Sequence, residues 1–423
     1  MNIIDASSAD PATAYVAADR HRLDDFRPLA WRTHDFGKTW TEIGHGLPDG
    51  AWVGVVREDP TRRGLLFAGT GRGVHVSFDD GDHWQTVQLN LPRTGVNDLL
   101  VHGDDVVIAT QGRAIWSLDD IEPLRHATEA AMANGPVLVP PATAYRLRAN
   151  NNKDTPLPPE EPRGENPPVG AILDYVLPQS VMLLSSPVVI EIAGEDGTVV
   201  RRFSSIDKPQ RPNADLYFAD IWLGPPRVPT ARPGHNRFVW DLRYPAPRAL
   251  EYEYSIAAVP GGAQATPEGA FVVPGQYEAR LIVGGQTLRQ KLNVLMDPRV
   301  ETPERDLAAL LAFEREVDGE LARSAELAAA TGAVRKSLEA ARDTAKDADP
   351  RAAAARALAE FERRIDAVSE ENPATINAVL ASVARDLESA DLPPTQPQRE
   401  LLAQYRQALD RFETRWKTIQ KRP

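Results

Sequence analysis

The chain has 423 residues, no cysteine, 42% hydrophobic residues and a formal net charge of −12. The missing thiols exclude disulfides, cysteine nucleophiles and thiolate metal sites. The acidic balance argues against nucleic acid or an anionic membrane as partner. The length predicts two to four domains, and no apolar run approaches the ~20 residues that cross a bilayer.

Residues 1–125 carry a repeat. Three apolar strand candidates each follow a polar turn. Ala14-Tyr15-Val16-Ala17 follows Ser8-Ala9-Asp10-Pro11, Leu65-Leu66-Phe67-Ala68 follows Asp59-Pro60-Thr61-Arg62, and Val106-Val107-Ile108-Ala109 follows Gly103-Asp104-Asp105. Two octapeptides sit 44 residues apart: Thr33-His34-Asp35-Phe36-Gly37-Lys38-Thr39-Trp40 and Ser77-Phe78-Asp79-Asp80-Gly81-Asp82-His83-Trp84. Both read Ser/Thr-x-Asp-x-Gly-x-x-Trp. The hydroxyl and carboxylate can bond nearby backbone N–H groups. Gly accepts a positive φ, and the Trp buries a large surface under the turn. Asp35 and Asp79 are therefore read as turn staples rather than catalytic acids. A third repeat keeps Gly112-Arg113-Ala114-Ile115-Trp116-Ser117 but loses the Gly and the distal Trp.

A period in the forties is that of a propeller blade, one four-stranded sheet per repeat. Closed propellers have about 4–8 blades. Residues 1–125 hold two to three, so they predict an open, incomplete array. The simplest account is a longer protein whose further blades precede Met1, with blades on partner chains as the alternative.

Residues 126–168 predict a Pro-rich linker, with a polar run at Asn150-Asn151-Asn152-Lys153-Asp154-Thr155 and Pro156-Leu157-Pro158-Pro159 as a spacer. Residues 169–298 predict an immunoglobulin-like or fibronectin-like β-sandwich. Val188-Val189-Ile190-Glu191-Ile192 and Val199-Val200-Arg201-Arg202-Phe203 flank a hairpin turn, and Phe238, Trp240 and Leu242 alternate along one face. The insert at 208–233 reads as a surface loop. Residues 299–423 switch to a helical period. Thr302-Pro303, Asp349-Pro350 and Asn372-Pro373 read as helix starts. Four apolar stripes predict a helical bundle or hairpin, with a coiled coil through Gly332 as the alternative. The sandwich and helices, from about Val169 onward, are expected to fold without the blades.

The two octapeptides resemble the Asp-box, or BNR repeat, of sialidase-like and sortilin-like β-propellers. Together with Phe238-Val239-Trp240-Asp241-Leu242-Arg243-Tyr244 and Met296-Asp297-Pro298-Arg299-Val300, they make nearly the whole chain similar to the C-terminal part of bacterial sortilin-like BNR proteins. The resemblance implies a partial Asp-box propeller, a sandwich and a helical tail. It also implies a structural role for Thr33, Asp35, Gly37, Trp40, Ser77, Asp79, Gly81 and Trp84, and export of the full-length relatives.

Function follows less directly, because fold does not fix activity. A sialidase-like site needs an arginine cluster, a Tyr–Glu pair and an acidic Asp. Arg32, Arg57, Arg72 and Arg113 show no clustering in the sequence. Tyr15 lies in a core strand, and Asp19, Asp24, Asp25, Asp80 and Asp119 single out no pair. No His spacing supports a metal site, and no cofactor is expected. The preferred expectation is a non-catalytic binding or scaffold module for protein, peptide or glycan ligands. The alternative is a glycosyl hydrolase whose catalytic residues lie partly in further blades.

Overall fold

The computed structural model describes residues 2–128, 134–148, 164, 166–183, 186–208, 220–224, 227–254, 261, 263–365 and 368–420. The segments 150–155 and 156–159 and much of the insert at 208–233 lie outside the described residues. Two compact units emerge. One is Met1–Ala142 with Asp174–Val181 and Arg232–Asn236; the other is Thr143–Leu173 with Met182–Ala231 and Arg237–Pro423.

The first unit is a stack of blades. β1 (Ile3–Ala6), β2 (Ala14–Arg20), β3 (Asp25–Thr33) and β4 (Thr41–Glu42) form one antiparallel four-stranded sheet. β5 (Val53–Glu58), β6 (Leu66–Thr70), β7 (Gly73–Ser77) and β8 (Gln85–Thr86) form the second. β9 (Val96–His102), β10 (Asp105–Thr110) and β11 (Ile115–Leu118) form a three-stranded third. Strand alternation sends successive side chains to opposite faces. One face of the second blade, with Val56, Leu66, Ala68 and Trp84, meets Tyr15, Ala17, Ala30 and Ile43 of the first. The other, with Val55, Phe67, Val74 and Val76, meets Val96, Leu99, Val106 and Ile108 of the third. Covered on both sides, β6 and β7 are buried at every position. That is why this blade reads as nearly unbroken apolar runs.

Among the described residues the third blade has three strands and no fourth, and its sequence lacks the box. Its chain turns instead into α1 (Glu122–Arg125). There the buried Arg125 guanidinium reaches Asp59 at 3.0 Å, Asp104 at 2.5 Å and Glu122 at 2.6 Å. A cavity of about 30 Å³ remains beside Val87, Leu89, Trp116 and Leu118. Val87 stands 44 positions after Ile43, against which the second box packs its Trp. β12 (Val137–Leu138) closes the region by pairing antiparallel with Val176 and Tyr175.

The second unit contains β13 (Ala144–Arg146), the start of β14 (Ala171–Leu177), the end of β17 (Gly234–Trp240), and the remaining elements. β13 pairs parallel with β21 (Gln286–Met296). The sheet order is β13-β21-β20-β15-β16, where β15 is Val189–Gly194, β16 Val199–Ser204 and β20 Gly275–Val283. β18 (Glu253–Tyr254) and β19 (Ala265–Thr266) make a separate short pair. The linker region thus donates an edge strand to the sandwich. Trp240, fully buried, lies edge-on to Tyr277 at 5.9 Å and donates to the Arg243 carbonyl. Phe238 packs on Phe203 at 4.7 Å.

Four helices complete this unit: α2 (Glu304–Thr344), α3 (Ala348–Ile365), α4 (Pro373–Leu387) and α5 (Gln396–Gln420). α2 runs unbroken through Gly332, as the coiled-coil alternative requires. Its stripe is nevertheless covered within the chain, by Phe361, Ile376, Leu380, Leu402, Leu409, Phe412 and Trp416. Asn372 caps α4, its Oδ1 accepting from the Ala374 N–H at 2.9 Å, with Pro373 in the first turn. Asn377, almost wholly buried, ties helix to sandwich: it accepts from the Leu250 N–H and donates to the Arg248 and Leu321 carbonyls.

Candidate functional site

The two boxes form near-identical turns between the third and fourth strands of their blades. In the first, Thr33 Oγ1 donates to Asp35 Oδ1 at 2.8 Å and accepts from the Gly37 N–H at 3.0 Å. Asp35 accepts from the Thr39 N–H at 2.9 Å and the Thr39 hydroxyl at 2.7 Å. Those bonds hold its carboxyl down at about 2. In the second, Ser77 Oγ donates to Asp79 at 2.9 Å and accepts from the Gly81 N–H at 2.8 Å. Burial opposes ionisation of Asp79, but the His83 ring and N–H, at 2.6 and 2.9 Å, keep it below the usual range. The same contact raises His83. Gly37 and Gly81 take φ of 79° and 92°.

The tryptophans differ. Trp84 is 9% exposed and donates to the Ile43 carbonyl of the first blade at 2.7 Å. Trp40 is 43% exposed and donates only into its own turn, to the Gly37 carbonyl at 3.1 Å. The expectation that each box Trp is buried under its turn therefore fails for Trp40. Burial of a box Trp needs a preceding blade, and the described residues place none beside the first box.

Between the first two blades the fold gathers a polar cluster that sequence spacing did not reveal. The Tyr15 hydroxyl donates to Asp80 at 2.6 Å and to Glu58 at 3.2 Å. His34 Nε2 meets Asp80 at 2.9 Å, and Arg32 pairs with Asp82 at 2.8 Å. Glu58 also accepts from the Gly64 N–H. These are the residue types of a sialidase-like centre: a Tyr, a Glu, an Asp and an Arg. Burial, and then the Asp80 and Glu58 carboxylates, raise the Tyr15 phenol and keep its proton on. Such a phenol attacks only when a neighbouring carboxylate takes that proton as base. The other charged candidates disperse: Arg57 to Asp5 and Asp98, Asp19 to His21, Asp25 to Arg27, and Asp119 to Ser117.

The second unit holds a cleft of about 270 Å³ between sandwich and helices. Arg148, Arg227, Asp241, Arg243, Glu268 and Glu388 line it. Arg227 pairs with Asp241, Arg243 with Glu268 at 3.0 Å, and Arg148 with Asp391 at 2.9 Å. The Arg243 guanidinium stacks 3.6 Å from the Phe271 ring centroid. Behind it, a small cavity is lined by Glu268, Glu314, Asp318 and Glu388. Burial raises Glu388 to about 8, Glu314 to about 7 and Asp318 to about 6. Paired charges of both signs and an aromatic wall offer donors and acceptors together with little net charge. A sequence signal existed in charged residues interrupting apolar stretches, but nothing local joined residues 148, 243 and 388. Among the described residues no group of three or more His, Cys, Asp or Glu is placed to hold a metal, and no helix is long and apolar enough to cross a membrane.

No family model and no curated protein matches the chain. Among solved structures, a GH74 enzyme of Niastella koreensis aligns at 13% identity, covering 69% of this chain and 46% of its own, with a TM-score of 0.23. The GH74 xyloglucanase of Xanthomonas campestris aligns at 14%, with coverages of 68% and 38% and a TM-score of 0.23. YCF48 bound to D1 peptide aligns at 12%, with coverages of 68% and 77% and a TM-score of 0.18. The chain spans less than half the length of either GH74 protein.

Proposed function

We propose that the chain is a non-catalytic binding or scaffold module of sortilin-like, Asp-box propeller type, for a protein, peptide or glycan ligand. One observation carries this reading: the carboxylates of Asp35, Asp79, Asp80 and Glu58 are engaged with turns and blade partners. Thr33, Asp35, Gly37 and Trp40, with Ser77, Asp79, Gly81 and Trp84, then serve the fold. The cleft around Arg227, Arg243 and Glu268 is the place for a polar, largely uncharged ligand. Glycan and peptide arrays probed with the purified chain test this. Binding should be lost in Arg227→Ala, a half-exposed residue, with thermal stability unchanged.

The second reading, a glycosyl hydrolase of the sialidase-like class, draws on the proximity of Tyr15, Glu58, Asp80 and Arg32. Turnover of aryl glycosides that disappears in Tyr15→Phe would establish it and displace the first.

A further inference from the structure

Strands in each blade alternate in direction, so the turns between second and third strands lie at the end away from the boxes. That end carries a repeat of its own. Each blade presents one arginine there: Arg22 between β2 and β3, Arg72 between β6 and β7, and Arg113 between β10 and β11. The last two stand in the pairs Gly71-Arg72 and Gly112-Arg113, which the third blade keeps although it has no box. Arg93, on the connection from β8 to β9, joins them at the same end. All four residues are exposed. Among the described residues none of their guanidinium groups has a carboxylate or carbonyl partner. Elsewhere in these blades arginines are held: Arg57 by Asp5 and Asp98, Arg63 by Asp10, and Arg62 by the Leu124 and Arg125 carbonyls. The uncommitted guanidinium groups of the blades are thus gathered at one end, in a chain whose net charge is −12. Asp24 and Asp49 stand at that end as well, too few to neutralise them.

The backbone beneath is tied together. Trp52, at the start of the second blade, stacks on the His21 ring of the first-blade turn at 5.4 Å. Its ring also fills the space that a Cβ on Gly71 or Gly95 would need, at 2.6 and 3.3 Å. The Gly71 N–H donates to the Trp52 carbonyl at 2.8 Å, and the Gln111 N–H to the Gly95 carbonyl at 2.7 Å. Each of the four arginines lies within two residues of His21, Gly71, Gly95 or Gln111. A row of cations on a fixed pitch selects a repeating partner. Stacked sheets lie about 10 Å apart. A polyproline II segment rises about 3.1 Å per residue with three residues per turn, so acids at every third position recur along one side about every 9 Å. Guanidinium groups take carboxylates bidentately. We propose that this end of the blades docks an acidic peptide segment in the polyproline II conformation, its carboxylates on Arg22, Arg72 and Arg113. Leu23 and Phe26, 71% and 44% exposed, give it apolar contact beside Arg22. A glycan fits this row less well, because the His21 ring already covers a face of Trp52. The inference concerns the first unit and does not rest on the ligand proposed above for the cleft.

Fluorescence anisotropy of a labelled peptide of Glu-Pro-Pro repeats, titrated with the full chain, reads the result. Binding should saturate at low salt and weaken as ionic strength rises. Arg72→Ala and Arg113→Ala should each weaken it about two- to five-fold, the range of an exposed ion pair. The double variant Arg72→Glu, Arg113→Glu should abolish it with an unchanged melting temperature, since both residues are exposed. Lys38→Ala, a cation removed at the box end, should bind as the wild type does. Absence of binding at low salt overturns the inference. So does equal binding of Gln-Pro-Pro repeats, full binding by the double variant, or binding of polygalacturonate oligomers in place of the peptide. The cleft is read separately by Arg227→Ala on the arrays, so either proposal can fall while the other stands.

Discussion

The two box tryptophans are the sharpest contrast between identical residues in one motif. Trp84 fills the seam between blades, and removing a buried Trp side chain costs about 3–5 kcal/mol. Trp84→Ala should therefore cut denaturant stability by that order. Trp40→Ala, lying over its own turn, should cost far less; equal losses would show that the exposed face is not open. Tyr15 is a second case. Its hydroxyl is the donor between two carboxylates of the neighbouring blade. Tyr15→Phe leaves those acceptors short of a partner, with a penalty of about 1–3 kcal/mol. Chemical denaturation of the variant measures it, and a loss of turnover without a loss of stability would contradict the clasp. Asp79→Ala removes the acceptor for the His83 N–H and the Ser77 hydroxyl at a half-exposed site, so about 1 kcal/mol is expected.

At the scale of elements, two seams depend on buried charge. α1 is a single turn held by Arg125, which bridges Asp59 of the second blade and Asp104 of the third. Arg125→Met strands those carboxylates, and breaking a buried pair in this way costs about 3–5 kcal/mol. The third blade should loosen first, seen as faster amide exchange in β9–β11. The sandwich–helix seam responds to pH. Burial raises Glu314, Asp318 and Glu388, so the folded state holds protons that the unfolded chain, with ordinary carboxyls near 4.5 and 3.8, releases earlier. Stability from these groups is full below about pH 4 and is lost as pH rises through about 6 to 8. The limiting slope is about 1.4 kcal/mol per pH unit for each group. Arg146, Arg148, Arg243 and Arg315 face them and moderate the loss. Glu388→Gln should raise the melting temperature at pH 8 and leave it unchanged at pH 4. A flat profile in wild type would refute the mechanism.

At the scale of the whole molecule, the sheet of the sandwich takes an edge strand from the chain before residue 169. β13 adds to the sheet beside β21, and Arg146, almost fully buried, pairs with Asp391 and donates to the Val272 carbonyl at 2.9 Å. A chain starting at Val169 should be less stable than one starting at Thr143, because it exposes the β21 edge and leaves Asp391 without either of its two arginines, Arg146 and Arg148. Comparative thermal melts decide this; equal midpoints would show that β13 is dispensable.

The blade period, the alternation of the sandwich strands and the helical stripes were legible in the sequence because each is written locally, in spacings of two, 3.6 or 44 residues. The box turns are local too: Thr33 reaches Asp35 and Gly37, and Asp35 reaches Thr39, all within seven residues, and so the octapeptide encodes the turn by itself. Contacts between elements carry no such spacing. Tyr15 meets Asp80 across 65 positions and Arg146 meets Asp391 across 245, and only folding sets those distances. Long-range packing also decided that α2 spends its stripe inside the chain rather than on a partner, because three further helices were at hand to cover it. Two copies of one motif, alike at their Asp, Gly and Trp, became unequal for the same reason. Trp84 has a blade to dock on and Trp40 meets none among the described residues, so burial, a property of neighbours in space, separates two tryptophans that stand at the same place in one pattern.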